Sequence, residues 1–443
     1  MDKSLTFTEG LLVSGIAVIA FNIIITRLRS PNYLQIWSPI FLISALFIYY
    51  AVIGPVITVL SGETYFRLVE HRHLFEVAWI ANLLAFLSML LGYQLTKKPF
   101  KWRVSKMVGL SNPTISPIYC KKFGRLLFIF CLLIFAGFAG SSILRIMNPI
   151  SGGEEMELNF GGNFTNYFIL PIAGFVPALS ALTIAMLHKK ISKIEWFAFN
   201  LAACGIYLSL GFRYRIVLVL IAVGMTYFFI KKKKPNLVLT TVGIVLFIGF
   251  MGFVQMTRTY FGGLDVDRVS EKETSEFFLA GLNESNIFMT SGMLISQIPE
   301  NYDFIYHDQI IQAATIFIPR SLWPGKPAGR HQVIVYSLYN PEDPSKGRGV
   351  AFPLFILFYF SFGWLGLIIG SVIFGHLLKR LFLWFILNQN NSYALIIYSS
   401  LLGSMYFIFS RGYLPAHVML LSFTLIPCFL ISKGFRKYLI RQQ

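Results

Sequence analysis

Residues 231–257 read KKKKPNLVLTTVGIVLFIGFMGFVQMT, four lysines followed by 23 residues without a charge. A helix of about 20 apolar residues crosses the hydrocarbon core of a bilayer, which is roughly 30 Å thick. Basic residues in short linkers are retained on the cytoplasmic side of a membrane. This stretch therefore predicts a transmembrane helix that starts at the cytoplasmic face and ends near Thr257 at the opposite face.

The rest of the chain repeats this pattern. It is 56% hydrophobic and 13% charged, whereas soluble globular chains carry about 25% charged residues. We therefore predict an all-α polytopic membrane protein with about eleven transmembrane helices. Gly54 and Pro55 predict a kink in the second run, and the run at 352–378 suggests a short re-entrant helix followed by a full span. The apolar runs lie at 9–26, 34–60, 73–95, 124–143, 166–188, 195–210, 214–230, 236–257, 352–378, 391–409 and 413–432.

The net charge of +18 is distributed in a way that argues against nucleic-acid binding. The basic residues fall in short linkers at 96–125, 189–190, 231–234 and 379–380 and after 433, whereas the acidic linkers fall between them. Every linker agrees with an amino terminus outside and a carboxyl terminus in the cytoplasm. The first apolar run lacks the features of a cleaved signal peptide and is interpreted as a retained helix.

The charge pattern divides the chain into an N-terminal bundle of about eight helices (1–257), a large extracytoplasmic loop (258–350) and about three C-terminal helices (351–443). The loop carries 11 of the 20 acidic residues. Loops this long are usually functional or disordered. The spacing of apolar residues predicts helices over 277–298 and 310–318, and we expect part of the loop to lie on the membrane surface.

Two arginines follow a helix in GFRYR at 211–215. Guanidinium groups match phosphate oxygens bidentately, so Arg213 and Arg215 are candidates for binding a phosphorylated substrate. The alternative is contact with lipid headgroups. The same two interpretations stay open for Arg258 and Arg411, which also lie at predicted outer helix ends.

The stretch IPRSLWPGKP at 318–327 contains three prolines and is followed by Arg330 and His331. Prolines stiffen the backbone, so Arg320, Lys326 and Arg330 can be held in place to bind a pyrophosphate. Trp323 can stack on a sugar or lie in the interfacial aromatic belt. A structural turn that contacts headgroups is the alternative.

A general base needs a titratable side chain that reaches the acceptor hydroxyl. The loop offers Glu284, Asp303 and His331, with Asp308 close to His307 as a further carboxylate. Each carboxylate is equally compatible with a solvated surface position. The four cysteines lie in or beside apolar runs, no Cys/His metal spacing is present, and no nucleotide-binding motif occurs. We therefore expect no cofactor and no metal site.

GFRYR, NYDFI (301–305), IFIPRSLWPGKP (316–327) and GRGVAFP (347–353) occur in an order that resembles the Wzy-type polysaccharide polymerases. The IPxxLWPxxP pattern is also similar to the enterobacterial common antigen polymerase group. The resemblance covers roughly 205–375. It implies a GT-C-like architecture in the bacterial cytoplasmic (inner) membrane. The implied activity is metal-independent glycosyl transfer that joins oligosaccharide repeat units carried on undecaprenyl pyrophosphate.

The resemblance also implies a role for the arginines among the candidate site residues. The departing pyrophosphate would be held by the arginines of the outer face, namely Arg213, Arg215, Arg258, Arg320, Arg330, Arg348 and Arg411. The implied partners are undecaprenyl-pyrophosphate-linked oligosaccharides, the lipid bilayer, and the chain-length regulator and flippase of the same pathway.

Other functions remain open at the level of sequence. An O-antigen ligase has the same architecture with a different acceptor. A lipid-linked oligosaccharide flippase would need charged residues within its helices, which are almost absent here. A polyprenyl-phosphate sugar transferase would carry acidic residues in an early outer loop, where this chain has only Glu63 and Glu70. A scaffold without chemistry is the last alternative.

Overall fold

The computed structural model describes residues 4–66, 69–101, 117–139, 170–209, 213–259, 263–264, 274–282, 285–318, 322–326, 329–339 and 351–440. These residues are almost entirely helical. Two short antiparallel hairpins are the exception, pairing β1 (Tyr65–Phe66) with β2 (Val69–Glu70) and β3 (Arg258–Thr259) with β4 (Gly263–Leu264).

Each of the eleven predicted apolar runs contains a helix. The helices are α1 (Phe7–Arg29), α2 (Pro39–Phe47), α3 (Gly54–Ser61), α4 (Phe75–Leu95), α5 (Pro117–Ala139), α6 (Phe175–Leu187), α7 (Lys193–Ser209), α8 (Arg213–Lys231), α9 (Leu237–Thr257), α10 (Thr274–Leu282), α11 (Ser285–Gln297), α12 (Asp308–Thr315), α13 (Arg330–Tyr339), α14 (Leu354–Leu387), α15 (Ser392–Ser410) and α16 (Leu414–Ile440).

Six helical segments in the described part of the chain are long and apolar enough to cross a membrane. Two shorter apolar helices lie at Ile172–Leu187 and Leu414–Leu430. The predicted total of about eleven crossings therefore stays a prediction. The six segments are Phe7–Arg29, Pro39–Ser61, Arg72–Leu95, Leu237–Thr257, Leu354–Leu387 and Ser392–Ser410.

The predicted kink of the second run is present, and its cause can be traced to Pro55. A π-helical turn over Ile48–Ile53 separates α2 from α3. Proline has no backbone N–H to donate to the carbonyl four residues earlier, which is that of Ala51. That carbonyl instead accepts the indole N–H of Trp79 in α4 at 2.7 Å. The local break thus provides a hydrogen bond between two membrane helices.

The chain divides into two compact units. One comprises residues 1–99, 282–382 and 405–418, and the other comprises 100–281, 383–404 and 419–443. In the first unit, α11 is packed against α4, and a side chain at Gly292 would meet the carbonyl oxygen of Leu74 at 2.8 Å. Its apolar residues Phe288 and Leu294 are buried. Part of the predicted loop 258–350 is therefore packed among helices.

In the second unit, α6 is the central helix, because every residue from Phe175 to Ala185 is buried. It packs against α5 and α8. The Nε atom of Arg125 in α5 donates to Glu195, in the first turn of α7, at 2.7 Å, which joins these two helices.

Helix α14 is broken at Phe362 and Gly363, and Gly363 has a φ of +65°. This break confirms the predicted division of the run 352–378 into a short and a long helix. The short part folds back on the long part. Side chains at Gly366 and Gly370 would lie 2.3 Å from the Phe358 carbonyl oxygen and ring, respectively. Gly366xxxGly370 thus permits the close packing expected of small residues in membrane helices.

Candidate active site

The starts of α12 and α13 are tied together by one carboxylate. Asp308, the first residue of α12, accepts hydrogen bonds from Nε2 of Gln312 at 2.5 Å and from the backbone N–H of Arg330 at 3.2 Å. The first N–H groups of a helix have no partner within it, and a negative charge there is favourable. Asp308 therefore holds the amino terminus of α13 in place, which fixes the position of the next residue, His331.

The imidazole of His331 is 2% exposed and stacks on the ring of Tyr413, with 4.7 Å between ring centroids. Gly329 permits this arrangement, because a β-carbon there would lie 2.8 Å from the His331 ring and 2.6 Å from Oε1 of Gln312. Burial lowers the pKa of His331 to about 3. The ring is therefore neutral at ordinary pH and has a lone pair that can accept a proton.

Two buried polar atoms in this cluster lack a hydrogen-bond partner among the described residues. They are Nδ1 of His331 and Nε2 of Gln309. The other end of the Gln309 amide accepts the backbone N–H of Leu414 at 3.2 Å, beside Tyr413. An unsatisfied buried polar group costs about 1–3 kcal/mol. A water molecule or a substrate hydroxyl that reached either atom would remove the cost for that atom.

The turn between α15 and α16 supplies Tyr413. The backbone N–H of Gly412 donates to the carbonyl of Phe352 at 2.6 Å, and a β-carbon at Gly412 would meet the Phe352 ring at 2.4 Å. The carbonyl of Arg411 accepts from Nε2 of His417 and from the N–H of Tyr413. These bonds fix the ring on which His331 stacks.

The cationic candidates beside His331 differ in their surroundings. The guanidinium of Arg330 is exposed and lies 3.9 Å from the carboxylate of Asp303, which is 90% exposed. Exposed pairs of this kind contribute little stability, so Arg330 can exchange this contact for a substrate phosphate. Nζ of Lys326 donates to the carbonyls of Thr315 and Ile318 at 2.8 and 3.0 Å, which favours a structural role. Trp323 is 38% exposed.

Arg215 lies in the second unit. Its side chain is buried, and its guanidinium carbon lies 5.9 Å from the centre of the Tyr207 ring, a cation–π arrangement. Arg213 begins α8 and Arg258 begins β3, and only their backbones are described. Glu284, Arg320 and Arg348 lie outside the described residues.

Sequence reasoning missed the residues that hold α13 from its other end. His71 Nε2 and Tyr339 Oη are 3.1 Å apart and buried. Burial lowers the pKa of His71 to about 4, so this ring is neutral. His331, Val335 and Tyr339 recur every four residues and lie on one buried face of α13. No local motif signals these partners, because His71 is 268 positions from Tyr339.

Across the described residues, no group of three or more His, Cys, Asp or Glu side chains has the arrangement of a metal site.

The apolar helices define a multi-pass membrane protein. The chain matches the sequence model of the O-antigen polysaccharide polymerase Wzy family over residues 5–441 and belongs to that family. The expected resemblance is thereby confirmed over nearly the whole chain. No curated protein and no solved structure matches it.

Proposed function

We propose that this protein joins oligosaccharide repeat units carried on undecaprenyl pyrophosphate, at the non-cytoplasmic face of the bacterial cytoplasmic membrane and without a metal ion. The family assignment over residues 5–441 is the observation that carries the proposal. In this reaction the acceptor hydroxyl of an incoming unit bonds to the anomeric carbon of the growing glycan. The bond from that carbon to the pyrophosphate breaks, and undecaprenyl pyrophosphate leaves.

His331 is our candidate for the group that takes the proton of the acceptor hydroxyl. Its ring is neutral, lies beside the amide of Gln312 at Gly329, and has a buried Nδ1 without a hydrogen-bond partner among the described residues. A base works best with a pKa near the working pH. A pKa of about 3 is too low for His331 to act as an efficient base while no substrate is bound. Entry of an anionic pyrophosphate beside the ring would raise the pKa, because a nearby negative charge favours the protonated imidazole. Asp303 and Glu284 remain proposed alternatives.

The arginines are proposed to stabilise the negative charge that develops on the leaving pyrophosphate. Fixed donors act more strongly on a transition state than on a bound substrate when charge increases during the reaction. Arg330 is the described member of this set that is both exposed and adjacent to His331. Arg320, Arg348 and Arg411, together with Trp323, are proposed to contact the phosphate or the sugar, and phosphate binding by Arg213, Arg215 and Arg258 stays a prediction from the sequence.

The test is the surface glycan of a deletion strain, run on a gel, with variants supplied in trans. We expect loss of the polymer ladder with a single capped repeat unit remaining, and restoration by the wild-type chain. His331→Gln should fail to restore the ladder, whereas His307→Gln, at an exposed histidine of the same region, should restore it. Loss of all capping in the deletion strain would instead indicate a ligase or a flippase.

The metal requirement is tested separately on purified enzyme with a lipid-linked repeat unit. We expect polymerisation to continue in EDTA. Polymerisation that stops in EDTA and returns with magnesium would contradict this part of the proposal.

A further inference from the structure

The short helix α12 has its polar and apolar faces reversed relative to a helix on a water-soluble surface. Gln309 and Gln312 are 2% and 6% exposed and point into the first unit. Ile310 and Ile311, on the other side, are 62% and 41% exposed. A surface helix in water places its apolar residues toward the core and its polar residues outside. The reversal indicates that the outer side of α12 does not face water.

The exposed apolar side chains continue beyond α12. Phe317 and Ile318 follow its end, and Leu322 is 79% exposed. Soluble monomers rarely expose a contiguous apolar patch of this kind without a partner. We call this surface the apolar strip, which consists of Ile310, Ile311, Phe317, Ile318 and Leu322.

The segment that leads into the apolar strip is attached to the membrane helix α14. The backbone N–H of Ile305 donates to the carbonyl of Phe360 at 3.0 Å. The rings of Tyr306 and Phe362 lie 6.0 Å apart, and both side chains are exposed. Leu365, further along α14, is 71% exposed, as expected for a residue that faces lipid. The exposed apolar surface of α14 is thus joined to the segment that enters α12.

The position of the break in α14 indicates how deep in the membrane the segment before α12 contacts α14. Lys379 and Arg380 are the first charged residues after Gly363 and mark one boundary of the hydrocarbon core. The sixteen helical steps from Gly363 to Lys379 rise about 24 Å, less than the roughly 30 Å of the core. Helix tilt would shorten the distance further. The break, and the start of α12 beside it, are therefore at the level of the acyl chains.

The carbonyl groups at and just after the end of α12 have hydrogen-bond donors within the protein. The last carbonyls of a helix have no partner within it, and lipid cannot supply one. Here Nζ of Lys326 donates to the carbonyls of Thr315 and Ile318. The carbonyl of Thr315 also accepts the backbone N–H of Ile318, so protein donors satisfy both carbonyls and neither requires water as a partner.

We propose that the apolar strip is inserted into the acyl-chain region of the adjoining bilayer leaflet, with Gln309 and Gln312 turned toward the candidate site. The occupant of this surface is membrane lipid. Such placement puts His331 and Arg330 beside the headgroup region. A lipid-linked substrate could then reach them while its tail stays in the membrane.

The test measures the depth of a fluorescent label and needs no substrate, so its result does not depend on polymerase activity. Single cysteines replace Ile310 and Leu322 in a variant whose four native cysteines are changed to alanine, and each is labelled with a nitrobenzoxadiazole maleimide. The protein is reconstituted in phosphatidylcholine vesicles that contain lipid spin-labelled at acyl carbon 5 or 12. Asn301→Cys, at an exposed polar position of the preceding turn, is the matched control.

We expect both labels on the apolar strip to be quenched by the spin-labelled lipids, more by carbon 5 than by carbon 12, and to be shielded from iodide in the buffer. The label at 301 should show the opposite response. Iodide quenching at 310 and 322 equal to that at 301 would overturn the proposal, since the strip would then face water. Shielding from both quenchers would also overturn it, since another protein surface would then cover the strip.

Discussion

At the scale of single residues, the candidate site depends on imidazoles that are kept neutral. Burial lowers the pKa of His331 to about 3 and that of His71 to about 4, whereas the ordinary value is 6.5. Between these values the unfolded chain binds protons that the folded chain does not, so the free energy of unfolding decreases as the pH falls. The stability contributed by the two neutral rings is fully present above about pH 7.

We therefore expect the melting temperature of the purified protein to fall as the pH is lowered from about 7 to about 4. His331→Gln and His71→Gln should each reduce the steepness of this fall, because glutamine has no proton to gain. The measurement is a thermal-shift series across pH in one detergent. His307→Gln is the control and should leave the slope unchanged. A slope that is the same in the wild type and in both buried-histidine variants would contradict this account.

The arginine hypothesis gives a second prediction at this scale. Arg213→Lys and Arg320→Lys keep the charge but lose the bidentate geometry that matches a pyrophosphate. Removal of one fixed donor from an oxyanion site costs about 10²–10³ in rate, so each variant should shorten or abolish the polymer at normal expression. Lys231→Ala, at the last residue of α8, should leave the ladder unchanged. Wild-type ladders from both arginine variants would identify these residues as headgroup anchors.

At the scale of elements, helix contacts in this protein depend on glycines at crossing points. A β-carbon at Gly252 in α9 would lie 1.7 Å from the carbonyl oxygen of Phe277, and one at Gly281 in α10 would lie 2.1 Å from that of Ile248. The two backbones therefore touch directly, which small residues permit in membranes. Gly243, in the same α9 helix, has nothing within 4 Å of an added β-carbon.

We predict that Gly252→Ala lowers the melting temperature, because α9 and α10 must separate to admit the methyl group, and overpacking costs about 1–3 kcal/mol. Gly243→Ala adds the same methyl group without a contact. It should leave the melting temperature unchanged or raise it, since glycine inside a helix is about 0.5–1 kcal/mol less favourable than alanine. Equal effects of the two substitutions would show that the contact between α9 and α10 does not contribute to stability.

The helices and the candidate site differ in how far the sequence determines them. Runs of apolar residues predict helices because a helix satisfies its own backbone hydrogen bonds in an apolar environment. The division of α14 is likewise visible in the sequence, at Gly363 and its neighbours. The partners of His331 are not local. Tyr413 comes from a distant position, as does Gln309, which binds the backbone of the next residue, Leu414, and only the packing of the first unit brings Tyr413 to the ring. The reversed faces of α12 were missed because periodicity identifies an apolar face without saying whether protein or lipid covers it.

At the scale of the whole molecule, the distribution of charge predicts the orientation in the membrane. The net charge is +18, yet residues 258–350 carry 11 of the 20 acidic residues, and the lysine-rich linkers lie elsewhere. Retention of basic linkers in the cytoplasm predicts that residues 258–350 lie on the opposite side. This orientation is required by the proposed chemistry, because polymerisation at the non-cytoplasmic face needs His331 and Arg330 there.

Fusions to a reporter enzyme that is active only outside the cytoplasm test the orientation. A fusion near residue 300, in the turn after α11, should be active, and a fusion near residue 232, in the lysine linker between α8 and α9, should be silent. The two positions are separated by the span α9 (Leu237–Thr257), so a single crossing decides the difference. A fusion near 390, between α14 and α15, should also be silent, because it follows the basic pair at 379–380. The reverse pattern would place the candidate site in the cytoplasm, where it could not act on repeat units presented at the outer face.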